Sequence, residues 1–449
     1  MSLSPPVVLR IPFGHALVQG RPEPLVWDSS TIVNGHILLV GASGTGKTFR
    51  LRHFMDTAIR QNPRVRFHVL DVHGDLRIPG AEVVEFSESK DYGLNPLAIS
   101  PDPDFGGVRK RIRAFISTLN RTSRRLGTKQ EAVLANLLSD LYHSRGFRPE
   151  SPATWRESPD RKMPTLGDLC RFTRFKLEGM IIGAGSKATV RLEAVNREAA
   201  KLGKAWVEAK REERGAGKGV TGEGGKAALD AAKAALEKAK AAAKEAYAEY
   251  VDAIETGREI GDLIKYNSRD VIQSVYERLI TLESAGVFKP TRPPFTEGSS
   301  VRIYGLKALS ADEQRIFVDI LLEDLFFEAR RLGERPSTET FIVIDEAHKF
   351  VSEEDDHILN IIVKEARKFG IGLVLASQSL AHFPDDIIAN AATKVILGID
   401  EMFHEAMARK IRIDPKQIAG IKPHRTALIQ IKAKGDLSNR FVPVVLPKA

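Results

Sequence analysis

The stretch His36-Ile-Leu-Leu-Val40-Gly41-Ala42-Ser43-Gly44-Thr45-Gly46-Lys47-Thr48 decides the fold of this 449-residue chain. His36–Val40 reads as a short apolar strand bounded by Gly35 and Gly41, and Phe49–Arg60 continues as a helix. Between them, Gly41–Thr48 fits the pattern GxxxxGK[ST] at every position. Its three glycines let backbone N–H groups converge on phosphate oxygens without Cβ clashes, and the helix N-terminus adds its positive dipole end. The loop therefore predicts a site for ATP and Mg²⁺. Gly41, Ala42, Ser43, Gly44, Thr45 and Gly46 cradle the phosphates, Lys47 reaches the β- and γ-phosphates, and the Thr48 hydroxyl ligates the metal. Arg66–Val72 reads as a second buried strand, so strand, glycine loop, helix and strand open a parallel α/β sheet.

Such a site needs a second half, and Phe341-Ile-Val-Ile-Asp345-Glu346-Ala-His348 has its form. Four apolar residues make a buried strand that ends in carboxylates. Asp345 is placed to hold Mg²⁺ through water, and Glu346 to polarise an attacking water as general base. The alternative for Glu346 is a structural acid at a strand end. Ile371–Ala376 is another strand and leads into Ser377-Gln378, which makes Gln378 a candidate γ-phosphate sensor or else a solvent-facing strand end. Arg367, in Glu365-Ala-Arg367-Lys368-Phe-Gly370, is either an arginine finger at a subunit boundary or a surface arginine. Asp71, His73 and Asp75 end the second strand. They suggest a metal cluster, but a loop near the nucleotide or a pore is the preferred reading, because no Cys/His spacing supports zinc.

Lys and Arg exceed Asp and Glu by 67 to 58, a formal charge of +9 that favours a polyanionic partner such as DNA or RNA. Arg109, Lys110, Arg111, Arg113, Arg121, Arg124, Arg125 and Lys129 concentrate that charge; they read either as DNA-phosphate contacts or as a solvated helix face. A single cysteine, Cys170, excludes an intramolecular disulfide and suits a reducing cytosol. No signal peptide opens the chain, and no stretch approaches the roughly 18 apolar residues of a membrane helix. A soluble, cytoplasmic protein without direct membrane insertion is expected.

Between the two α/β parts the pattern turns helical. Residues 1–100 and 298–449 read as the core, and 101–297 as an all-helical insertion. Within it, 188–257 reads as an antiparallel coiled-coil hairpin. Leu192, Val195, Ala199, Leu202, Trp206 and Ala209 line the first arm. Leu229, Leu236, Ala243 and Tyr250 form one seam of the second arm, and Ala232, Ala239, Ala246 and Ala253 the other.

The chain resembles the HerA/FtsK superfamily of pumping ATPases, which includes conjugative coupling proteins and type IV secretion motor ATPases. Five segments carry the resemblance: Gly41–Thr48, Leu70-Asp-Val-His-Gly-Asp75, Gly93-Leu-Asn95-Pro96-Leu97, Ile344-Asp-Glu-Ala-His348 and the run from Glu365 to Gln378. It implies a RecA-like core, a homo-oligomeric hexameric ring with nucleotide at subunit interfaces, and transport of DNA. It also implies Arg367 as a finger acting in trans and Gln378 as the sensor. The chain departs from the family in three ways. The frequent Arg-Pro after the sensor glutamine is Ser379-Leu380 here, the stretch before the P-loop is too short for HerA's β-barrel, and the membrane helices of coupling proteins are absent.

A ring motor that translocates DNA is the leading expectation. A conjugation or secretion ATPase working through a partner complex, with a protein docked on the helical insertion, is the alternative. A nucleotide switch in a defence complex is a third reading. A superfamily 2 helicase is excluded, because about seventy residues after Gln378 are too few for a second core.

Overall fold

The computed structural model describes residues 5–447 apart from 19–20, 105, 123–124, 183–186, 217–222, 254–264, 267, 356, 382, 437 and 439. It divides into two compact units. The first comprises residues up to Arg125, Phe147–Thr165 and Ala285 onward; the second is Leu126–Gly146 with Leu166–Ser284.

The first unit is built on an eleven-stranded sheet. In chain order its strands are β1 (Arg10–Val18), β2 (Arg21–Asp28), β3 (Ile37–Val40), β4 (Arg66–Asp71), β5 (Glu82–Glu85), β6 (Val301–Gly305), β7 (Thr340–Ile344), β8 (Ile371–Ser377), β9 (Thr393–Ile396), β10 (Thr426–Ile431) and β11 (Val442–Val445). The spatial order is β2-β1-β11-β10-β9-β3-β8-β7-β4-β6-β5. From β9 to β5 every pairing is parallel; from β9 to β2 every pairing is antiparallel. The inner strands read as continuous apolar runs because they are covered on both faces: every residue of β3, β8 and β9 is buried.

Helix α1 (Lys47–Gln61) packs on this sheet through Leu51, Phe54, Met55 and Ala58. The contact is aromatic at its centre. Phe54 meets the Phe341 ring edge-on at 5.5 Å, Phe341 stacks on Phe67 at 5.2 Å, and Trp27 meets Phe54 edge-on at 5.4 Å. This cluster fixes the axis of the helix whose N-terminus closes the glycine loop.

Helix α2 (Val108–Thr122) belongs to the α/β unit, not to the helical one, so the boundary runs differently from the expected 101–297. Burial explains why. Val108, Ile112, Phe115 and Leu119 are buried, and Arg111 and Arg121 on the same helix reach carboxylates of the helix Ala311–Leu332. The segment Phe147–Thr165 follows them into this unit, where the Trp155 ring lies against Gly107, whose φ is +95°.

The second unit is helical. It contains α3 (Thr128–Ser144), α4 (Leu166–Ile182), α5 (Lys187–Ala216), α6 (Glu223–Asp252) and α7 (Arg269–Ser284). Helices α5 and α6 form the expected hairpin, and the ion pair between Arg191 near the start of one and Glu249 near the end of the other makes it antiparallel. Along α6 and the turn after it, residues 229, 236, 243 and 250 and residues 232, 239, 246 and 253, the two seams read from the sequence, are shielded, as is Ala242. On α5 one seam differs. Val195, Leu202 and Ala209 are shielded, but so are Ala194, Glu198, Ala205 and Glu212, while the expected Ala199 is exposed and Trp206 stands 53% exposed. A tryptophan does not fit between backbones brought together by alanines, and Ala205 takes its place. The side chain of Leu192 lies outside the described residues.

After α7, the α/β unit continues with α8 (Ala311–Leu332), α9 (Ile358–Glu365), α10 (Asp385–Asn390), α11 (His404–Ile411) and α12 (Pro415–Ala419). No helix among the described residues is long and apolar enough to cross a membrane.

Candidate nucleotide site

The carboxyl ends of β9, β3, β8, β7 and β4 lie side by side along one edge of the sheet, the edge where open α/β sheets hold their ligands. One of these strands, β3, between β9 and β8, leads into the glycine loop. Two hydrogen bonds join that loop to the strands on either side: Gly41 N–H donates to the Ser377 carbonyl at 3.1 Å, and Ala42 N–H to Gly398 at 2.8 Å. Glycine is required at 41 for space, because a Cβ there would lie 2.4 Å from the Thr45 hydroxyl. At 44 and 46 it is required for conformation, with φ of +76° and +96°. Ser43 and Gly44 form the exposed tip, and Thr48 lies in the first turn of α1.

The Lys47 ammonium folds back over this loop and donates to the carbonyls of Gly41 (2.7 Å) and Ala42 (3.1 Å). Burial pulls its pKa down, and the negative charges of Glu346, Asp345 and Asp75 push it back up. Those three carboxylates therefore lie within electrostatic reach of the lysine. Burial, and next the charge of Glu346, raise the Asp345 carboxyl to about 6.

Glu346 is buried and holds a left-handed backbone conformation, φ +52° and ψ +41°. Its carboxylate accepts from the Gln378 amide at 3.2 and 3.3 Å, one contact to each oxygen. The His348 Nδ1 lies 3.4 Å from the same carboxylate and 3.3 Å from the Ser377 hydroxyl. A cavity of about 410 Å³ opens here, lined by Ala42, His348, Gln378, Ser379, Asp400 and Phe403. Gln378 is exposed at its strand end, with its amide on the Glu346 carboxylate.

Asp71 is spent on its own loop: its carboxylate accepts from the N–H groups of His73 (3.2 Å), Gly74 (2.8 Å) and Leu76 (3.0 Å). This turn carries Asp75 to the neighbourhood of Lys47. Among the described residues no cluster of three or more metal-ligating side chains occurs.

Arg367 lies apart from these groups. It sits exposed in the 3-10 turn Ala366–Phe369, immediately before β8, whereas Gln378 follows that strand's other end. Seven residues of strand separate the two by roughly 23 Å. Within the basic run, Arg111 and Arg121 are placed differently from either reading made of it, while Arg109 and Lys110 are exposed. Arg111 pairs with Glu323 (3.1 Å) and Asp324 (3.0 Å), Arg121 with Asp319 (3.1 Å), and Arg109 with Glu150 (2.6 Å). Arg113, Arg125 and Lys129 are exposed, and Arg124 lies outside the described residues.

His348, Asp400 and Phe403 line the cavity without having been singled out from the sequence. The Ala-His pair after Glu346 was the available signal for His348. Asp400 and Phe403 reach the site through the strand order alone.

No protein-family model matches the chain. Over 62 residues, 13% of its length, it is 40% identical to the DNA double-strand break repair helicase HerA of Pyrococcus furiosus. Over 66 residues, 14% of its length, it is 38% identical to a probable helicase of Methanocaldococcus jannaschii. These matches span only 11% and 13% of those two proteins. In fold the chain is similar to VirB4 of Thermoanaerobacter pseudethanolicus, with a TM-score of 0.64 at 14% identity over 98% of this chain and 97% of that one. It is also similar to the plasmid coupling protein TrwB in complex with a non-hydrolysable ATP analogue, with a TM-score of 0.51 at 14% identity over 100% of this chain and 97% of that one. The fold is that of a RecA-like P-loop NTPase with a helical insertion, and the resemblance to the HerA/FtsK superfamily rests on these likenesses together.

Proposed function

We propose that this HerA/FtsK-like chain hydrolyses ATP and uses the energy to move DNA as a ring of identical subunits. The observation that carries the reading is the pairing of Gln378 with Glu346 beside Lys47 and Asp345, on adjacent strand ends of one sheet. The donor set fits MgATP. A glycine loop offers its N–H groups, Lys47 rests on loop carbonyls that a phosphate would replace, and Thr48 and Asp345 supply oxygens suited to Mg²⁺. MgATP, when bound, supplies the phosphoanhydride bond and a divalent charge.

The side chains then have separable roles. Lys47 neutralises charge on the outer phosphates. Asp345 would help hold the metal, and its raised pKa would fall once a cation faced it. Glu346 accepts a proton from the attacking water, and Gln378 holds that carboxylate in line. Arg367 sits at the wrong edge of its own sheet to act in cis, and this supports a finger that reaches a neighbour's site.

Two measurements made together test this: ATP turnover with added double- or single-stranded DNA, and particle mass in the same buffer. DNA-stimulated turnover in a ring-sized particle is expected. DNA-independent turnover by a monomer would sink the motor reading.

The second reading is a transfer ATPase that works through a partner complex on DNA or protein. The match to VirB4 favours it, because that likeness extends over 98% of the chain and so includes the helical part. In that case the hairpin α5–α6 is the docking arm, and removing it abolishes partner binding but leaves turnover intact.

A further inference from the structure

The strand order sets two different walls on either side of the glycine loop. On one side, β8 and β7 bring Gln378, Asp345 and Glu346. On the other side lie β9 and β10. Because β10 runs antiparallel to β9, its beginning, not its end, reaches the same edge.

The turn that starts β10 lies directly against the loop. Pro423 and Ile421 are placed 3.5 and 3.7 Å from where a Cβ on Gly398 would be. The His424 Nδ1 is 3.5 Å from the corresponding point on Gly46, the N-cap of α1. His424 is exposed, yet its backbone is held at φ +63°, a conformation that non-glycine residues seldom take. The turn is fastened on every side. Lys422 N–H donates to the Thr426 hydroxyl (2.7 Å), Thr426 N–H to the Lys422 carbonyl (2.9 Å), and Leu446 N–H to the Arg425 carbonyl (2.8 Å). Strained backbone persists only where the surroundings determine it, and it gathers at ligand sites. Phe49 shares the Gly46 face of α1 by the i, i+3 rule and leaves its ring 38% exposed.

We propose that His424 is a positioning residue for the nucleoside end of the bound nucleotide, its ring walling the base or ribose on the side of the loop away from Glu346. The inference rests on the reading of Gly41–Thr48 as a nucleotide site and adds the side from which the nucleoside is gripped. The phosphates face Lys47 and the carboxylates, so the nucleoside emerges toward the β9–β10 side, where an exposed ring stands on a fixed turn.

The test compares His424→Ala, His424→Asn and His424→Phe for binding of a fluorescent ATP analogue, for binding of inorganic tripolyphosphate, and for kcat and KM. Asparagine tolerates the left-handed backbone but removes the ring, whereas phenylalanine keeps a ring. Both His424→Ala and His424→Asn should weaken the nucleotide about tenfold and raise KM similarly, with kcat little changed; His424→Phe should retain most of the affinity. Tripolyphosphate binding should be the same in all three. Unchanged nucleotide affinity in the folded asparagine variant would overturn the inference, as would equal losses for nucleotide and tripolyphosphate. If the wild type binds nucleotide without hydrolysing it, the motor reading fails, but the affinities still decide the role of His424. Absence of nucleotide binding by the wild type would remove both.

Discussion

The Gln378 amide lies 3.2 and 3.3 Å from the two oxygens of the Glu346 carboxylate, spanning from the end of β8 to the end of β7. An amide in that position fixes the carboxylate's orientation without taking its charge. Glu346→Gln is expected to abolish ATP turnover while still binding ATP. Gln378→Ala should lower kcat about 100-fold with nucleotide affinity preserved. Stopped-flow binding and phosphate release on the same preparations check both, and full turnover in either variant would refute the assignment.

Asp345 gives a pH dependence that can be isolated. Its folded carboxyl sits at about 6 against an ordinary value of 3.8, so the folded state holds the proton more tightly than the unfolded chain. The stability this contributes is complete below about pH 4 and is lost as pH rises through 6. At pH 8 without metal, Asp345→Asn should therefore be more stable than the wild type, by about 1–3 kcal/mol, and the gap should close toward pH 4. Thermal melts across pH 4–8 measure it. A difference that stays flat with pH would refute it.

Two buried histidines act in the opposite direction. Burial pulls His36 down to about 4 and His68 down to about 3, so both are neutral in the fold. Their contribution is present above the unfolded value of 6.5 and is lost as pH falls toward those lower values. His36 accepts the Leu373 N–H on its Nδ1 at 3.0 Å, which ties the strand before the loop to β8. Acid unfolding monitored by circular dichroism should begin below pH 6.5 and shift to lower pH in His68→Phe. An unshifted acid transition in that variant would count against this.

Arg111 is almost wholly buried between Glu323 and Asp324, and burial raises Glu323 to about 7 despite the guanidinium beside it. Removing the arginine leaves buried carboxylates without a counter-charge. Arg111→Ala should cost about 3 kcal/mol or more in urea unfolding, and Glu323→Gln in that background should restore part of it. A stable Arg111→Ala protein with weakened DNA binding would instead return this arginine to the DNA surface.

Arg367→Ala should lose turnover alone and regain it when mixed with Lys47→Ala. In mixed assemblies some interfaces combine an intact finger with an intact loop. Failure of the two variants to complement would remove the trans role.

Most of the core was legible because its strands are buried on both faces. Ile37–Val40, Thr340–Ile344 and Ile371–Ser377 are runs of apolar residues with chemistry at their ends, and a pattern of that kind needs no tertiary information. The α6 seams were legible for the same reason, through a strict heptad. Edge strands were less so. The β5 strand is Glu82-Val-Val-Glu85 with one buried residue, too short and too polar to announce itself. Arg111 and Arg121 of α2 misled because a helix pattern shows which residues are charged but not whether a carboxylate from residue 319 or 323 waits opposite. His424 and Asp400 were invisible for a topological reason: their nearness to the glycine loop depends on β9 and β10 lying beside β3.

The placement of β3 between β8 and β9 also sets the order in which the molecule can be made. The strand that carries the loop finds its hydrogen-bond partners only at Val374–Ser377 and Thr393–Ile396, more than 330 residues further along the chain. A ribosome has therefore released the chain to beyond residue 396 before the phosphate-binding loop can be held in place on both sides. The helices of Leu126–Gly146 and Leu166–Ser284 depend on contacts nearer in sequence and can form while synthesis continues. The nascent chain thus carries a folded helical body for some time before any nucleotide can bind, and a cell starved of ATP during synthesis gains no ligand stabilisation until the last strands emerge.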